Sequence, residues 1–224
     1  MTSGHDPIAL FPPISDPSEP AYAVPEHRAG RPRVLLLGDS ISIGYTLPVR
    51  AALADTATVF RPAANCGQTA YALQHLEGWL GTEPWRVIHF NFGLHDLKFL
   101  DPAGNYVPPD QGRQVTPLDA YRRNLTAIVT RLAATGASLI FATTTPVPPG
   151  SAGRPAGSEV PYNQCAREIM TAHGIALNDL WALASRNPSG FLCPNDVHFT
   201  PEGKRALAAQ VSASIRAALA GAGV

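Results

Sequence analysis

The chain has 224 residues, of which 45% are hydrophobic and 15% charged, a size and composition that suit one globular domain. Lysine and arginine number 17 and balance 17 acidic residues, so no bulk charge recruits nucleic acid or an anionic membrane. We therefore expect a small-molecule partner, with no nucleic acid and no membrane. The sequence leaves the oligomeric state open.

The N-terminus and the cysteines indicate a cellular compartment. No charged segment followed by an apolar stretch opens the chain, and no run of about eighteen apolar residues occurs in it. These features favour a cytoplasmic protein. The three cysteines Cys66, Cys165 and Cys193 cannot all pair and lack a C-x-x-C spacing, so we expect them to be reduced.

In chain order, residues 1–32 come first as a proline-rich N-terminal arm without a sustained apolar period, which we expect to be extended or disordered. Strands are then predicted near 33–38, 57–60, 86–91, 138–143 and 175–178, and helices near 47–54, 70–80, 117–134, 161–173 and 201–219. This alternation predicts one α/β domain over 33–220, in which helices cover both faces of a parallel sheet. Two long Pro- and Gly-rich loops, 96–116 and 144–160, follow strands, where substrate-shaping loops are expected.

Ser40 follows the first strongly apolar strand, in the segment Leu37-Gly38-Asp39-Ser40. A buried strand that runs into glycine and a small hydroxyl residue delivers the hydroxyl to the carboxyl end of a sheet, where open α/β folds bind ligands. Ser40 is therefore a candidate nucleophile, which needs a base and an oxyanion site elsewhere. A G-x-S-x-G elbow is absent because position 42 is Ser42, and this counts against a standard α/β-hydrolase.

An acid and an imidazole precede the C-terminal helix. Asp196 lies two residues before His198, and Pro201 opens the predicted helix. An imidazole on a rigid edge can take a proton from a hydroxyl, while a nearby acid orients the ring and stabilises the imidazolium. Alone, His198 is most simply a surface or capping residue, but together with Ser40 it is the candidate general base.

Four short blocks resemble those of the SGNH (GDSL-type) hydrolase family and occur in the same order. They are Gly38-Asp39-Ser40, Asn65-Cys66-Gly67-Gln68-Thr69, Gly93-Leu94-His95-Asp96 and Asp196-Val197-His198. The resemblance implies a flavodoxin-like three-layer α/β/α sandwich with a five-stranded parallel sheet, and a serine esterase that forms an acyl-enzyme without cofactor or metal. It also implies that Ser40 is acylated, that His198 is the base, and that Ser40 N–H, Gly67 N–H and the side chain of His95 bind the oxyanion.

The chain departs from the family pattern at two positions. His95 stands where the family has asparagine, so the third oxyanion donor would be an imidazole N–H. The family's aspartate lies three residues before the histidine, whereas that position is Asn195 and the acid is Asp196. Either Asp196 reaches the imidazole through a shifted turn, which we favour, or His198 works with Ser40 as a dyad oriented by a neutral group such as Asn195.

Other functions compete with ester hydrolysis. A metal-dependent phosphoesterase could use Asp39, His95, Asp196 and His198, although its other motifs are absent. An acyltransferase could use the same serine scaffold, and a catalytically inactive binding domain could share the fold. We favour the esterase. An O-acetylated carbohydrate or another small acyl ester is the favoured substrate, because no long apolar segment is suited to an acyl tail.

Overall fold

The structure is a computed structural model that describes residues 18–221. Within that range the strands are β1 (Arg33–Leu37), β2 (Thr58–Phe60), β3 (Val87–Phe90), β4 (Phe99–Leu100), β5 (Arg113–Gln114), β6 (Ser138–Ala142) and β7 (Ala176–Asn178). The helices are α1 (Ser40–Ala52), α2 (Thr69–Leu80), α3 (Leu118–Ala133), α4 (Glu159–Ala172), α5 (Leu180–Ala184), α6 (Pro188–Phe191) and α7 (Pro201–Gly221).

The central sheet is parallel and has the strand order β2-β1-β3-β6-β7. Residues 87–90 of β3 are all buried, as expected for a strand with both faces covered. The strand order reverses between β1 and β3, so the chain leaves these neighbours in opposite directions and a crevice opens at their carboxyl ends. The predicted five-stranded sheet and three-layer sandwich are confirmed.

Two helical layers enclose the sheet. Helix α1 packs against α7, while α2, α3 and α4 contact one another in succession. Leu207, Val211 and Ile215 recur at four-residue spacing in α7 and are buried, as are Tyr45 and Val49 in α1. One apolar stripe on each helix therefore fixes the pair against the sheet, and with it the segment that leads into α7.

Helix α1 begins at Ser40, seven residues earlier than the sequence predicts, since that prediction starts near residue 47. Its first turns contain β-branched residues and Gly44, which are poor helix formers, and Pro48 interrupts the backbone ladder. The Asp39 side chain offsets this by accepting a hydrogen bond from Ile41 N–H at 3.0 Å. Ser40 therefore lies in the first turn of a helix and not in a loop.

Two segments expected to be irregular contain regular structure. The loop over 96–116 includes the antiparallel pair β4–β5, and the start of the connection between these strands is fixed by Asp101, which accepts hydrogen bonds from Ala103 and Asn105. In the N-terminal arm, Pro20–Tyr22 form a 3₁₀ turn in which Tyr22 is buried. Residues 1–17 of the predicted arm lie outside the described residues.

Among residues 18–221, no helix combines the length and the apolar character that a bilayer crossing requires.

Candidate active site

The strand β1, a two-residue turn and helix α1 position Ser40. Asp39 caps the helix at Ile41 N–H, so Ser40 occupies the first helical position, where a backbone N–H has no acceptor within the helix. The positive end of the helix dipole lies at the same place. The hydroxyl and the N–H of Ser40 therefore both lie where a carbonyl group can be attacked and its developing charge bound.

Ser40, His198 and Asp196 form a hydrogen-bonded chain. Ser40 Oγ lies 2.9 Å from His198 Nε2, and His198 Nδ1 lies 2.8 Å from Asp196 Oδ1. A carboxylate only accepts hydrogen bonds, so Nδ1 carries the proton and Nε2 presents its lone pair to the serine hydroxyl. This is the arrangement that base catalysis by imidazole requires.

Asp196, and not Asn195, lies against the imidazole. Asn195 has a φ of 58°, a left-handed conformation, and Asp196 N–H donates back to Cys193 C=O at 3.3 Å. This turn brings a carboxylate two residues away into reach of the ring, and the same Asp196 oxygen also accepts the backbone N–H of His198. Burial raises the pKa of Asp196. The hydrogen bonds and the charge of His198 together have the larger effect and hold this pKa below its ordinary value.

Two backbone hydrogen bonds join the ends of the loop that carries Asp196 and His198. Cys193 N–H donates to His198 C=O at 2.8 Å, and Thr200 N–H donates to Phe191 C=O at 2.8 Å. Thr200 Oγ1 then caps α7 by accepting the N–H of Gly203 at 3.1 Å. The imidazole is therefore held between a closed loop and a capped helix, although its side chain is 49% exposed.

Gly67, the second predicted oxyanion donor, follows β2. Its φ of 60° lies in the left-handed region that favours glycine, and an added Cβ would approach Tyr71 to 3.4 Å. In the free protein the Gly67 N–H donates to Asn65 Oδ1 at 3.0 Å. An oxyanion at this position must therefore share that N–H with Asn65 or displace its side chain.

His95, the third predicted donor, lies in the turn after β3. Its Nδ1 is 3.3 Å from Nζ of Lys98. Burial lowers the pKa of His95 well below its usual value, and the charges of Lys98, Arg154 and His198 lower it further. His95 is therefore neutral near pH 7 and can donate from one ring nitrogen only.

The turn that carries His95 is anchored on three sides. Asp96 Oδ1 accepts hydrogen bonds from the N–H and the hydroxyl of Thr69, at 2.9 and 2.6 Å, and so caps helix α2 from outside. Phe92 C=O accepts bonds from the hydroxyls of Tyr121 and Thr144. The glycine at 93 admits Thr144, since a Cβ there would lie 2.1 Å from its hydroxyl oxygen.

Sequence reasoning missed three residues that surround His95. Lys98 is 2% exposed, and its Nζ lies 5.2 Å from the centre of the Tyr106 ring. Arg154 contacts the same ring at 5.3 Å and donates from Nε to Leu94 C=O at 2.8 Å. A lysine within the apolar segment 97–100 was the one available signal, because charged residues are seldom placed among buried neighbours without a partner.

The residues of the phosphoesterase alternative do not form a set of metal ligands, since Asp196 is hydrogen-bonded to His198. Asp39 is buried and caps α1, and burial raises its pKa above the usual value. Across residues 18–221, no three His, Cys, Asp or Glu side chains are grouped in a way that could hold a metal ion. The geometry gives this alternative no support.

An open cavity of about 460 Å³ adjoins Ser40. Its apolar wall comes mainly from α1 and from the 3₁₀ turn of the N-terminal arm, and two opposite charges, Glu19 and Lys204, line it as well. The volume falls within the range of about 300–1,000 Å³ that is typical of small-molecule sites.

A family model described as GDSL-like lipase/acylhydrolase matches residues 36–206 and spans all four sequence blocks. The chain belongs to the GDSL-like lipase/acylhydrolase family. It is a serine ester hydrolase, whose substrates are small-molecule esters. No curated protein sequence matches it.

Solved structures share the fold of this GDSL-like hydrolase at low sequence identity. The acetyl xylan esterase AlAXEase is 16% identical, with a TM-score of 0.66 over 82% of this chain and 99% of the other. A lipase/acylhydrolase from Enterococcus faecalis is 20% identical, with a TM-score of 0.68 over 83% and 96%. A variant of Axe2, an acetyl-xylooligosaccharide esterase from Geobacillus, is 16% identical, with a TM-score of 0.64 over 82% and 94%.

Proposed function

We propose that this GDSL-like hydrolase cleaves carboxylic esters through an acyl-enzyme on Ser40. The supporting observation is the chain of contacts from Ser40 Oγ to His198 Nε2 and from His198 Nδ1 to Asp196. Ser40 Oγ forms a bond to the ester carbonyl carbon while its proton passes to His198 Nε2. When the tetrahedral intermediate breaks down, His198 returns that proton to the leaving alcohol, and water later cleaves the acyl-serine by the same route.

Three N–H groups are proposed to bind the oxyanion. Ser40 N–H lies at the start of α1 and Gly67 N–H follows β2, while His95 follows β3, the other neighbour of β1 in the sheet. The carboxyl ends of these adjacent strands meet at one edge, which supports a common target for all three donors. Donors aimed at the developing charge are typically the largest single contribution to acyl transfer.

We further propose that the cavity beside Ser40 takes the alcohol part of an acetylated carbohydrate. The leaving oxygen must approach His198, and the cavity lining includes Lys204 of α7, a helix that begins three residues after His198. Leu47 and Pro48 suit the C–H face of a sugar, while Glu19 and Lys204 suit its hydroxyls without a net charge. Two of the similar structures are esterases of acetylated xylan or xylo-oligosaccharide, which fits this substrate class.

The nucleophile is tested by Ser40→Ala. We expect kcat for p-nitrophenyl acetate to fall by about 10⁴ or more, and His198→Ala to act similarly, because the two side chains act as one unit. Ser185→Ala, which removes an exposed hydroxyl at the end of α5, is the matched control and should behave as wild type. Near-wild-type turnover in Ser40→Ala would remove the nucleophile assignment.

The substrate class is tested by varying the acyl and alcohol parts separately. We expect p-nitrophenyl acetate to be cleaved with a higher kcat/KM than p-nitrophenyl octanoate. Lys204→Met should raise KM for an acetylated xylo-oligosaccharide and leave KM for p-nitrophenyl acetate unchanged, since only the sugar has hydroxyls for Lys204 to bind. Preference for octanoate, or an equal change in both KM values, would contradict the proposed alcohol site.

A further inference from the structure

Lys98 is a buried lysine held directly behind His95. It is 2% exposed, and a buried ammonium is costly unless acceptors bind its protons. One such acceptor is His95 Nδ1, which lies 3.3 Å from Lys98 Nζ. The Lys98 backbone is fixed by the β4–β5 hairpin, because Val115 N–H donates to Lys98 C=O at 2.9 Å.

The contact determines which nitrogen of His95 carries its proton. An ammonium group has three donors and no acceptor, whereas a neutral imidazole has one N–H and one lone pair. Burial lowers the pKa of Lys98, whereas the charge of Tyr106 and its hydrogen bond raise it. Opposite the ammonium form of Lys98, Nδ1 presents its lone pair, which leaves the N–H on Nε2. A proton on Nδ1 would set two donors against each other, and in the doubly protonated ring it would also set two positive charges against each other.

We propose that Lys98 is a positioning residue that fixes His95 as its Nε2–H form and strengthens this N–H as a donor to the oxyanion. The inference rests on the proposed function, in which His95 replaces the family's asparagine. Hydrogen bonds in a chain polarise one another, so a cation donating to Nδ1 makes Nε2–H a better donor as negative charge develops on the substrate. An asparagine amide needs no such partner, because its NH₂ group has two donors without any choice of protonated form.

The charges around His95 act in the same direction. Lys98 and Arg154 lie in the segments that follow β3 and β6, and His198 lies in the segment before α7. Burial lowers the pKa of His95 most, and the charges of these three residues lower it further. The ring of Tyr106 contacts Lys98 and Arg154. Burial raises the pKa of Tyr106, but the charges of these two residues and their hydrogen bonds with it bring that pKa below the usual value. Lys98, Arg154 and His198 therefore each favour the neutral ring.

A double-mutant cycle tests the proposal. Lys98→Met removes the ammonium and keeps an apolar side chain of similar length. We expect it to lower kcat for p-nitrophenyl acetate by about 10- to 100-fold with little change in KM, less than the 10²- to 10³-fold cost of removing a whole oxyanion donor. In a His95→Asn background, where no imidazole needs orienting, Lys98→Met should change kcat less than about threefold. Arg113→Met, which removes an exposed charge from the same hairpin, is the matched control.

The outcomes separate this inference from the proposed function. An equal loss of kcat in both backgrounds would show that Lys98 acts without His95 and would overturn the inference, whereas activity in Ser40→Ala would overturn the proposed function itself. Full activity in His95→Ala would remove His95 from the oxyanion site and the role of Lys98 with it.

The protonated nitrogen can also be observed directly, without any variant that might fail to fold. In ¹⁵N-detected NMR of the wild-type protein near pH 7, we expect a proton on Nε2 of His95 and none on Nδ1. In Lys98→Met the pKa of His95 should rise, because a neighbouring positive charge is lost. A proton on Nδ1 in the wild-type protein would overturn the proposal.

Discussion

At the scale of single residues, the conformation of Asn195 decides which acid serves His198. Its left-handed backbone, with a φ of 58°, directs its own side chain toward Gly150, where an added Cβ would lie 2.9 Å from Asn195 Oδ1. The same turn brings Asp196 Oδ1 to 2.8 Å from His198 Nδ1. Asp196 therefore reaches the imidazole although it lies one residue closer to His198 than the family's aspartate does. The left-handed backbone at Asn195 makes this possible, and asparagine tolerates that conformation.

Asp196→Asn tests that pairing. We expect kcat to fall by about 10²- to 10⁴-fold, because the amide can donate to Nδ1 and so favours the wrong protonated form of the ring. Adding Asn195→Asp restores the usual acid spacing of the family, but the side chain at 195 faces Gly150 and should not rescue activity. Recovery of kcat in the double variant would contradict the assignment of Asp196.

The oxyanion donors differ in how far the sequence predicts them. Gly67 and His95 were found through short blocks whose order along the chain resembles the family pattern. The engagement of Gly67 N–H by Asn65 and the contact of His95 with Lys98 were not predicted, because they depend on side-chain directions within two tight turns. The residue type at a position can be read from the sequence, whereas the direction in which its side-chain nitrogen or oxygen points requires atomic coordinates.

At the scale of elements, Asp96 joins the turn after β3 to the start of α2. It accepts the N–H and the hydroxyl of Thr69, so two hydrogen bonds tie the His95 turn to the helix after Gly67. Burial raises the pKa of Asp96 from 3.8 to about 7, although the hydrogen bonds from Thr69 oppose that rise. The folded protein therefore holds a proton that the unfolded chain has already released.

This linkage gives a prediction for Asp96→Asn. Because the folded pKa is raised, the free energy of unfolding of the wild-type protein falls as pH rises from about 4 to about 7, while the amide, which can still accept from Thr69, does not titrate. The stability of the variant relative to wild type should therefore increase across that window, by up to about 4 kcal/mol. Urea unfolding at several pH values measures the difference.

Asp101→Asn is the control for that experiment. Asp101 is partly exposed, and hydrogen bonds from Asn105 lower its pKa, so its contribution to stability is lost only near and below about pH 4. The difference between Asp101→Asn and wild type should then be flat from about pH 5 to about pH 7. A flat difference for Asp96→Asn over the same range would contradict the raised pKa.

Elements with continuous apolar runs were predicted best. The five strands of the central sheet lie within one or two residues of their predicted bounds, because buried parallel strands are apolar on both faces. The start of α1 and the β4–β5 hairpin were missed. Local propensity opposes the helix at Gly44 and Pro48, and the hairpin strands have only two residues each, too few to show a period.

At the scale of the whole molecule, the topology brings distant segments to one edge of the sheet. Ser40, Gly67 and His95 follow the adjacent strands β1, β2 and β3, and the α1–α7 contact brings His198 against them from a position 158 residues along the chain from Ser40. The order of the sequence blocks predicted this convergence through family resemblance. The cluster of Lys98, Tyr106 and Arg154 had no comparable motif, since its members come together only through the β4–β5 hairpin segment and the loop after β6.

Labelling with a fluorophosphonate probe, followed by peptide mass spectrometry, tests the acyl-enzyme account most directly. The probe phosphonylates an activated serine, so we predict one adduct, on the peptide that contains Ser40, formed equally with and without EDTA and abolished in His198→Ala. An adduct on another residue, or an unlabelled protein with a phosphoesterase activity that EDTA removes, would contradict the account.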